Sequence, residues 1–144
     1  LLTINKINGF NEVKNSIIKK RAQRASNGRS QEYIAIFEGA EAAFLSFEDW
    51  SDRSIGFIYE IFVLPAFRRQ GIGTELLSYA ESLAISLGCS VIRLEPYAFD
   101  RSVSSELLVS WYRNNGYDIM TSDAEKMEKL FPYNEPNTSG ATGR

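Results

Sequence analysis

The stretch LPAFRRQGIGTELL, residues 64–77, constrains the fold more than any other part of the chain. Ahead of it, SIGFIYEIFVL is a long apolar run that Pro65 must end, because proline has no N–H to give to a sheet ladder. Behind it, from Ile72, the apolar residues Leu76, Ala80, Leu83, Ala84 and Leu87 recur at helical spacing, and Gly88 supplies a stop. The pattern predicts a strand, a tight glycine turn and a helix N-terminus, in that order. Such a terminus presents up to about four unpaired backbone N–H groups and roughly half a positive charge, so it favours an anion. Gly71 and Gly73 carry no Cβ and let the backbone turn and come close to a phosphate, with Arg68 and Arg69 as charges at the rim. The turn is not a Walker loop, because Thr74 follows Gly73 with no lysine before it. Nor is it the dinucleotide fingerprint, whose third glycine would fall where Leu76 stands.

The flanking sequence supplies the other elements of one α/β domain with a mixed sheet. Over residues 11–26, Val13, Ile17, Ala22 and Ala25 recur near helical spacing among lysines and arginines, up to the break at SNG. EYIAIFEGAEAAFLSFEDW offers two apolar runs parted by Glu38, Gly39, Ala40 and Glu41, which reads as an antiparallel hairpin. After the central helix, CSVIRLE reads as a buried strand, YAFDRSVS as a loop, and SELLVSWYRNNG as a helix ended by glycine. YDIM and KMEKLF read as two short final strands. PNTSGATGR has no apolar anchor, so residues 1–131 are expected to form the domain and 132–144 a mobile tail.

Composition removes several classes of function. A chain of 144 residues, 44% hydrophobic and 24% charged, fits one globular domain with a real core. With no histidine and one cysteine, Cys89, serine–histidine and cysteine–histidine catalysis, an internal disulfide and a Cys/His zinc site are all excluded, and no metal is expected. Apolar runs such as residues 61–64 are too short to cross a bilayer and no signal-peptide pattern opens the sequence, so no membrane partner and a cytoplasmic location are expected. A net charge of -2 gives no global field to attract nucleic acid. Lys19, Lys20, Arg21 and Arg24 form a local basic cluster that reads as a solvated helix face.

RRQGIG resembles the acyl-CoA loop of the GNAT family of N-acetyltransferases: Arg or Gln, two residues, Gly, one residue, Gly or Ala. EIFVLPAFRRQGIGTELLSYAE resembles that family's preceding strand, proline, aromatic and following helix, and WYRNNGY its later Tyr, three residues, Gly, aromatic signature. The resemblance runs over about residues 30–131. It implies a single-domain, mostly antiparallel mixed sheet with splayed central strands, flanked by helices, and acetyl-CoA as acetyl donor with no metal. Backbone groups of Ile61, Phe62 and Val63 would pair with the pantetheine arm, and the N–H groups of Arg69, Gln70, Gly71, Ile72, Gly73 and Thr74 would hold the pyrophosphate. The side chains of Phe62 and Val63 read as core.

Tyr112 matches the family's acid, and its ordinary pKa near about 10 keeps the phenol protonated at neutral pH. Trp111 and Tyr117 beside it read as core. Two carboxylates, Glu60 and Glu95, stand in or at the end of apolar strands and resemble positions of the family's base; Glu60 is slightly favoured, against a purely structural ion pair such as one to Arg93. Ser105 stands where an asparagine often bonds pantetheine, after a loop longer than the common form.

The resemblance implies N-acetylation of a primary amine on a small cationic molecule, a peptide or a protein, with a homodimer left open. Glu38, Glu41, Glu48, Asp49, Asp52 and Glu60 would give an acidic lining suited to a cation, although a solvated hairpin explains them equally well. The alternative functions are a non-catalytic acyl-CoA-binding regulatory or interaction module, and a small interaction protein without cofactor.

Overall fold

The computed structural model of the chain describes residues 1–97 and 103–132. It opens on a strand absent from the expectations above, β1 (Leu2–Lys6), which adds antiparallel to the edge of β2 (Ser30–Phe37). Between them lies helix α1 (Ser16–Ala25), and β2 turns back into β3 (Ala40–Trp50) through Glu38 and Gly39, with φ of 50° and 83°. Two successive positive φ values make the kind of two-residue connection whose twist matches that of the flanking strands. β4 (Ile55–Val63) leads through a short 3-10 turn, Pro65–Phe67, into α2 (Ile72–Ser86) and then β5 (Val91–Leu94). Helix α3 (Ser105–Asn114) and the short strands β6 (Asp118–Ile119) and β7 (Met127–Leu130) complete the fold.

The seven strands form one sheet in the order β1-β2-β3-β4-β5-β7-β6, with every pair antiparallel except β4–β5. That parallel pair needs a crossover, and α2 is the crossover. Helices cover both faces. Leu76, Leu77, Ala80 and Ala84 of α2 pack with Leu45, Ile58, Ile92 and Leu94 on one side, while Ile18, Ala22 and Ala25 of α1 pack with Ile34, Phe44 and Phe62 on the other. Covered twice, β3 is buried without a break from Ala42 to Phe47, so its sequence is continuous rather than alternating.

The expected elements are present with changed limits. The first helix is shorter than residues 11–26, because Asn15 accepts from the N–H groups of Ile17 and Ile18 and so caps it there. Its buried stripe starts at Ile18 rather than Ile17, and Ile17 is exposed. At the far end of α2, Gly88 with φ 80° lets Cys89 N–H reach the Ala84 carbonyl at 2.9 Å and Gly88 N–H that of Ile85 at 3.0 Å, closing the helix as its glycine predicts. Most of the expected loop over residues 97–104 and all but the first residue of the expected tail lie outside the described residues. No helix among the described residues is long and apolar enough to cross a membrane.

Candidate active site

β4 and β5 pair only over four residues, Ile55 with Val91 through Ile58 with Leu94. β5 then ends and β4 runs on to Val63, bonded to β3 alone, so one edge of residues 59–63 has no strand partner among the described residues. Leu64 N–H donates to the Ala42 carbonyl at 2.9 Å, and by alternation the backbone groups of Phe62 also face β3. Those of Ile61 and Val63 face the open side, where Arg68 Nε donates to the Val63 carbonyl at 2.9 Å. The expectation that Phe62 offers its backbone to a ligand is therefore the weakest of the three.

A cavity of about 450 Å³ fills the gap. Ile61, Phe62, Val63, Arg68, Arg69, Gly71, Ile72, Gly73, Thr74, Glu60, Glu95 and Tyr112 all line it, so the structure brings together nearly every residue singled out from the sequence. Gln70 and Ser105 are exposed and outside the lining. The side chain that caps α3 is Ser104, accepting from Leu107 N–H at 3.1 Å, rather than Ser105.

One end of the cavity is the start of α2. Arg69 and Gly71 take φ of 68° and 81°, and Gly71 is the N-cap residue with no side-chain bond to the first turn. Asn15 and Ser104 cap the other two helices, so α2 alone among the three meets the cavity with its leading N–H groups uncapped by a side chain. Gly73 faces inward: a Cβ there would lie 3.6 Å from Trp111 and 3.8 Å from Val63. Trp111 is thus half-buried in the cavity wall, where the sequence assigned it to the core.

Tyr112 is buried, its ring set edge-on to Trp111 and Tyr117 with centroids 4.8 and 5.6 Å away. Its hydroxyl has no hydrogen-bond partner among the described residues, which is unusual for a buried tyrosine. Burial, and then the nearby negative charge of Glu60, push the phenol above its ordinary pKa, so it keeps its proton throughout the neutral range. Tyr117 is core, as expected, and donates to Glu81 Oε2 at 2.8 Å.

The two carboxylates differ sharply. Between Ser46 and Phe47 of β3 the register with β4 shifts, so that Tyr59 is the extra residue and the strand's alternation resets. Ile58 faces α2, and after the bulge Ile61 does; Glu60 turns to the α1 side. There Arg21 Nη1 donates to Glu60 Oε2, and Arg24 Nη2 to Oε1 at 2.9 Å. Arg93, the structural ion-pair partner considered for either carboxylate, instead holds Glu128 at 3.0 Å, because it lies on β5 beside β7. Nor is the basic cluster simply a solvated face: Arg21 is only 14% exposed and its guanidinium stacks 3.7 Å from the Phe62 ring. Glu95 is exposed, follows β5, and makes no ion pair or side-chain hydrogen bond among the described residues.

Of the acids expected to line the acceptor cleft, Glu60 lines the cavity and Glu38, Glu41, Glu48, Asp49 and Asp52 do not. Glu41 accepts from the backbone of Lys14 and Asn15, Glu48 from Asn27 and Trp50, Asp49 from Ser51 N–H, and Asp52 pairs with Arg29, so these acids hold local structure. Missing from the sequence reading are Tyr59 and Tyr97, which line the cavity; two tyrosines near a carboxylate were the available signal.

Comparison with known proteins agrees with this geometry. A stretch of 67 residues is 31% identical to "Thialysine N-epsilon-acetyltransferase" of Mus musculus, covering 46% of this chain and 38% of that protein, so the chain matches well under half the length of this curated relative. The fold superposes on the paia N-acetyltransferase of Thermoplasma acidophilum in complex with coenzyme A, with a TM-score of 0.67 at 15% identity over 91% of this chain and 99% of that one. It superposes equally on the ribosomal-protein-S18-alanine N-acetyltransferase of Escherichia coli, with a TM-score of 0.66 at 18% identity over 95% and 98% of the two chains. The sequence profile of the Acetyltransferase (GNAT) family matches residues 7–117, from before α1 to beyond Tyr112, and on that match the chain belongs to the GNAT acetyltransferase family.

Proposed function

We propose that the chain is an acetyl-CoA-dependent N-acetyltransferase that modifies a primary amine on a small molecule or a peptide. The observation that carries this reading is the cavity itself: a strand edge and a buried phenol that have no partner among the described residues, and an uncapped helix N-terminus, all open into one space. Each feature fits a different part of an acyl-CoA. The exposed edge at Ile61 and Val63 suits an amide-bearing arm. The N–H groups of Ile72, Gly73 and Thr74, with Arg68 and Arg69 at the rim, suit a diphosphate. When bound, acetyl-CoA would supply a thioester carbonyl, the C–N bond to the amine forming as the C–S bond breaks.

The residues then divide the proton work. Tyr112 is held protonated and gives its Oη proton to the departing sulfur, to be reprotonated from solvent. Glu95 accepts the proton that the ammonium must lose. We assign the base to Glu95 rather than Glu60 because both oxygens of Glu60 are already committed to guanidinium donors. Glu60 serves instead as a fixed charge that ties α1 to β4 and adds to the burial that keeps the phenol protonated.

The test is thiol release from acetyl-CoA over a panel of primary amines, compared between the natural chain and Tyr112→Phe. Turnover in the variant is expected to fall about a hundredfold or more with CoA affinity unchanged. Absence of release with every amine while CoA binds would favour a non-catalytic acyl-CoA-binding module.

A further inference from the structure

Tyr112 meets the cavity with a hydroxyl that has no hydrogen-bond partner among the described residues, so the aim of its phenol is set by the ring contacts and the backbone behind it. Two rings abut it edge-on: Trp111, its neighbour in α3, and Tyr117, which follows the helix and is fully buried. Tyr117 is held in turn. Its hydroxyl donates to Glu81 Oε2 at 2.8 Å, and burial, followed by the Glu81 carboxylate, keeps that phenol protonated and therefore a donor.

Glu81 stands on α2, the helix whose N-terminus opens into the cavity, but is not itself part of the cavity wall. Lys129 of β7 places its Nζ 3.3 Å from each Glu81 oxygen and also donates to the Asn115 carbonyl at 3.2 Å. Asn115 and Tyr117 close the end of α3 directly on the acid. Their N–H groups donate to the Tyr112 carbonyl at 2.9 and 3.1 Å, and Asn115 Nδ2 donates to that of Trp111 at 2.8 Å. One carboxylate thus fastens this turn by two routes, through the Tyr117 hydroxyl and through Lys129. An apolar group of the same volume would pack about as stably; what the directional bonds add is a fixed rotation of the Tyr117 ring.

We propose that Glu81 is a positioning residue for the reaction: by fixing Tyr117, whose ring abuts that of Tyr112, it aims the acid hydroxyl into the cavity from behind. The proposal rests on the acetyltransferase reading for its place in catalysis, but the anchoring it describes needs no acetyl-CoA.

Two readouts on the same variants test it: the NMR signals of the Tyr112 ring in the ligand-free chain, and the single-turnover rate of acetyl transfer to an amine. Tyr117→Phe removes only the hydroxyl that Glu81 holds, and Glu81→Leu removes the holder; both should shift the Tyr112 ring signals and slow transfer roughly tenfold with CoA affinity unchanged. Glu81→Gln keeps an oxygen that can accept from Tyr117 and should leave the signals in place and most of the rate. Added to Tyr112→Phe, Tyr117→Phe should slow transfer little further, because the hydroxyl it helps to aim is already gone. An unchanged rate in Tyr117→Phe, a loss that adds in full to that of Tyr112→Phe, or a Glu81→Gln variant as slow as Glu81→Leu would overturn the proposal. Tyr112 signals unmoved in both Tyr117→Phe and Glu81→Leu would overturn it whatever the activity. Signals that move as expected in a chain that releases thiol with no amine would leave the anchor standing and refute the acetyltransferase reading.

Discussion

Both oxygens of Glu60 accept from guanidinium groups, so abstracting a proton would first require breaking two charge-assisted bonds. Removing its charge should therefore be felt as stability. Glu60→Gln is expected to destabilise by about 1–3 kcal/mol, less than a fully buried pair because Arg24 is half exposed. Glu95→Gln should change stability by no more than about 0.5 kcal/mol and yet lower the rate on an amine, with recovery as pH rises and the acceptor arrives deprotonated. Denaturant melts and parallel pH–rate profiles separate the two; a rate loss with alkaline rescue in the Glu60 variant alone would return the base to Glu60. These partners could not be read from the sequence, since Arg21 and Arg24 lie 39 and 36 residues away from Glu60 along the chain. Tyr112 and the glycines were legible because a local motif fixes them.

At the scale of elements, the junction after β4 was the most legible part of the chain, and its two kinds of glycine make different predictions. A Cβ at Gly56 would sit 2.9 Å from Ala84 Cβ and 3.0 Å from the Phe47 ring, so Gly56→Ala should force β4 from α2 and cost about 1–3 kcal/mol. Gly71 has open space around it but a φ of 81°, so Gly71→Ala should cost about 1–2 kcal/mol through backbone strain alone. Only the second is expected to weaken CoA binding as well, which calorimetry on both variants would check. What escaped the sequence at this scale has a common cause. β1 forms by adding to an edge that exists only in the folded sheet, and the bulge at Tyr59 comes from pairing with β3, not from β4's own residues. The one-residue shift of the α1 stripe is the ambiguity of adjacent Ile17 and Ile18, settled by the cap at Asn15.

The whole molecule carries a pH signature that follows from its buried phenols. Tyr33 is pushed up to about 12, and Tyr112 and Tyr117 higher, chiefly by burial. Each pKa is raised in the folded state, so the unfolded chain loses these protons first, near about pH 10. Their stabilising contribution is complete below that pH and is lost as pH rises toward the folded values, by up to about 1.4 kcal/mol per pH unit for each phenol. Melting temperature should accordingly fall steeply above pH 10, and a flat profile from pH 9 to about pH 12 would contradict the burial of these rings.

The account as a whole stands on the gap between β4 and β5 being the acyl-CoA cleft, and amide hydrogen exchange with and without CoA measures that directly. With CoA at about a hundred times its dissociation constant, exchange should slow by up to about a hundredfold, concentrated in residues 59–63 and 69–74. Binding of CoA with protection confined to other segments, or no binding at all, would contradict it.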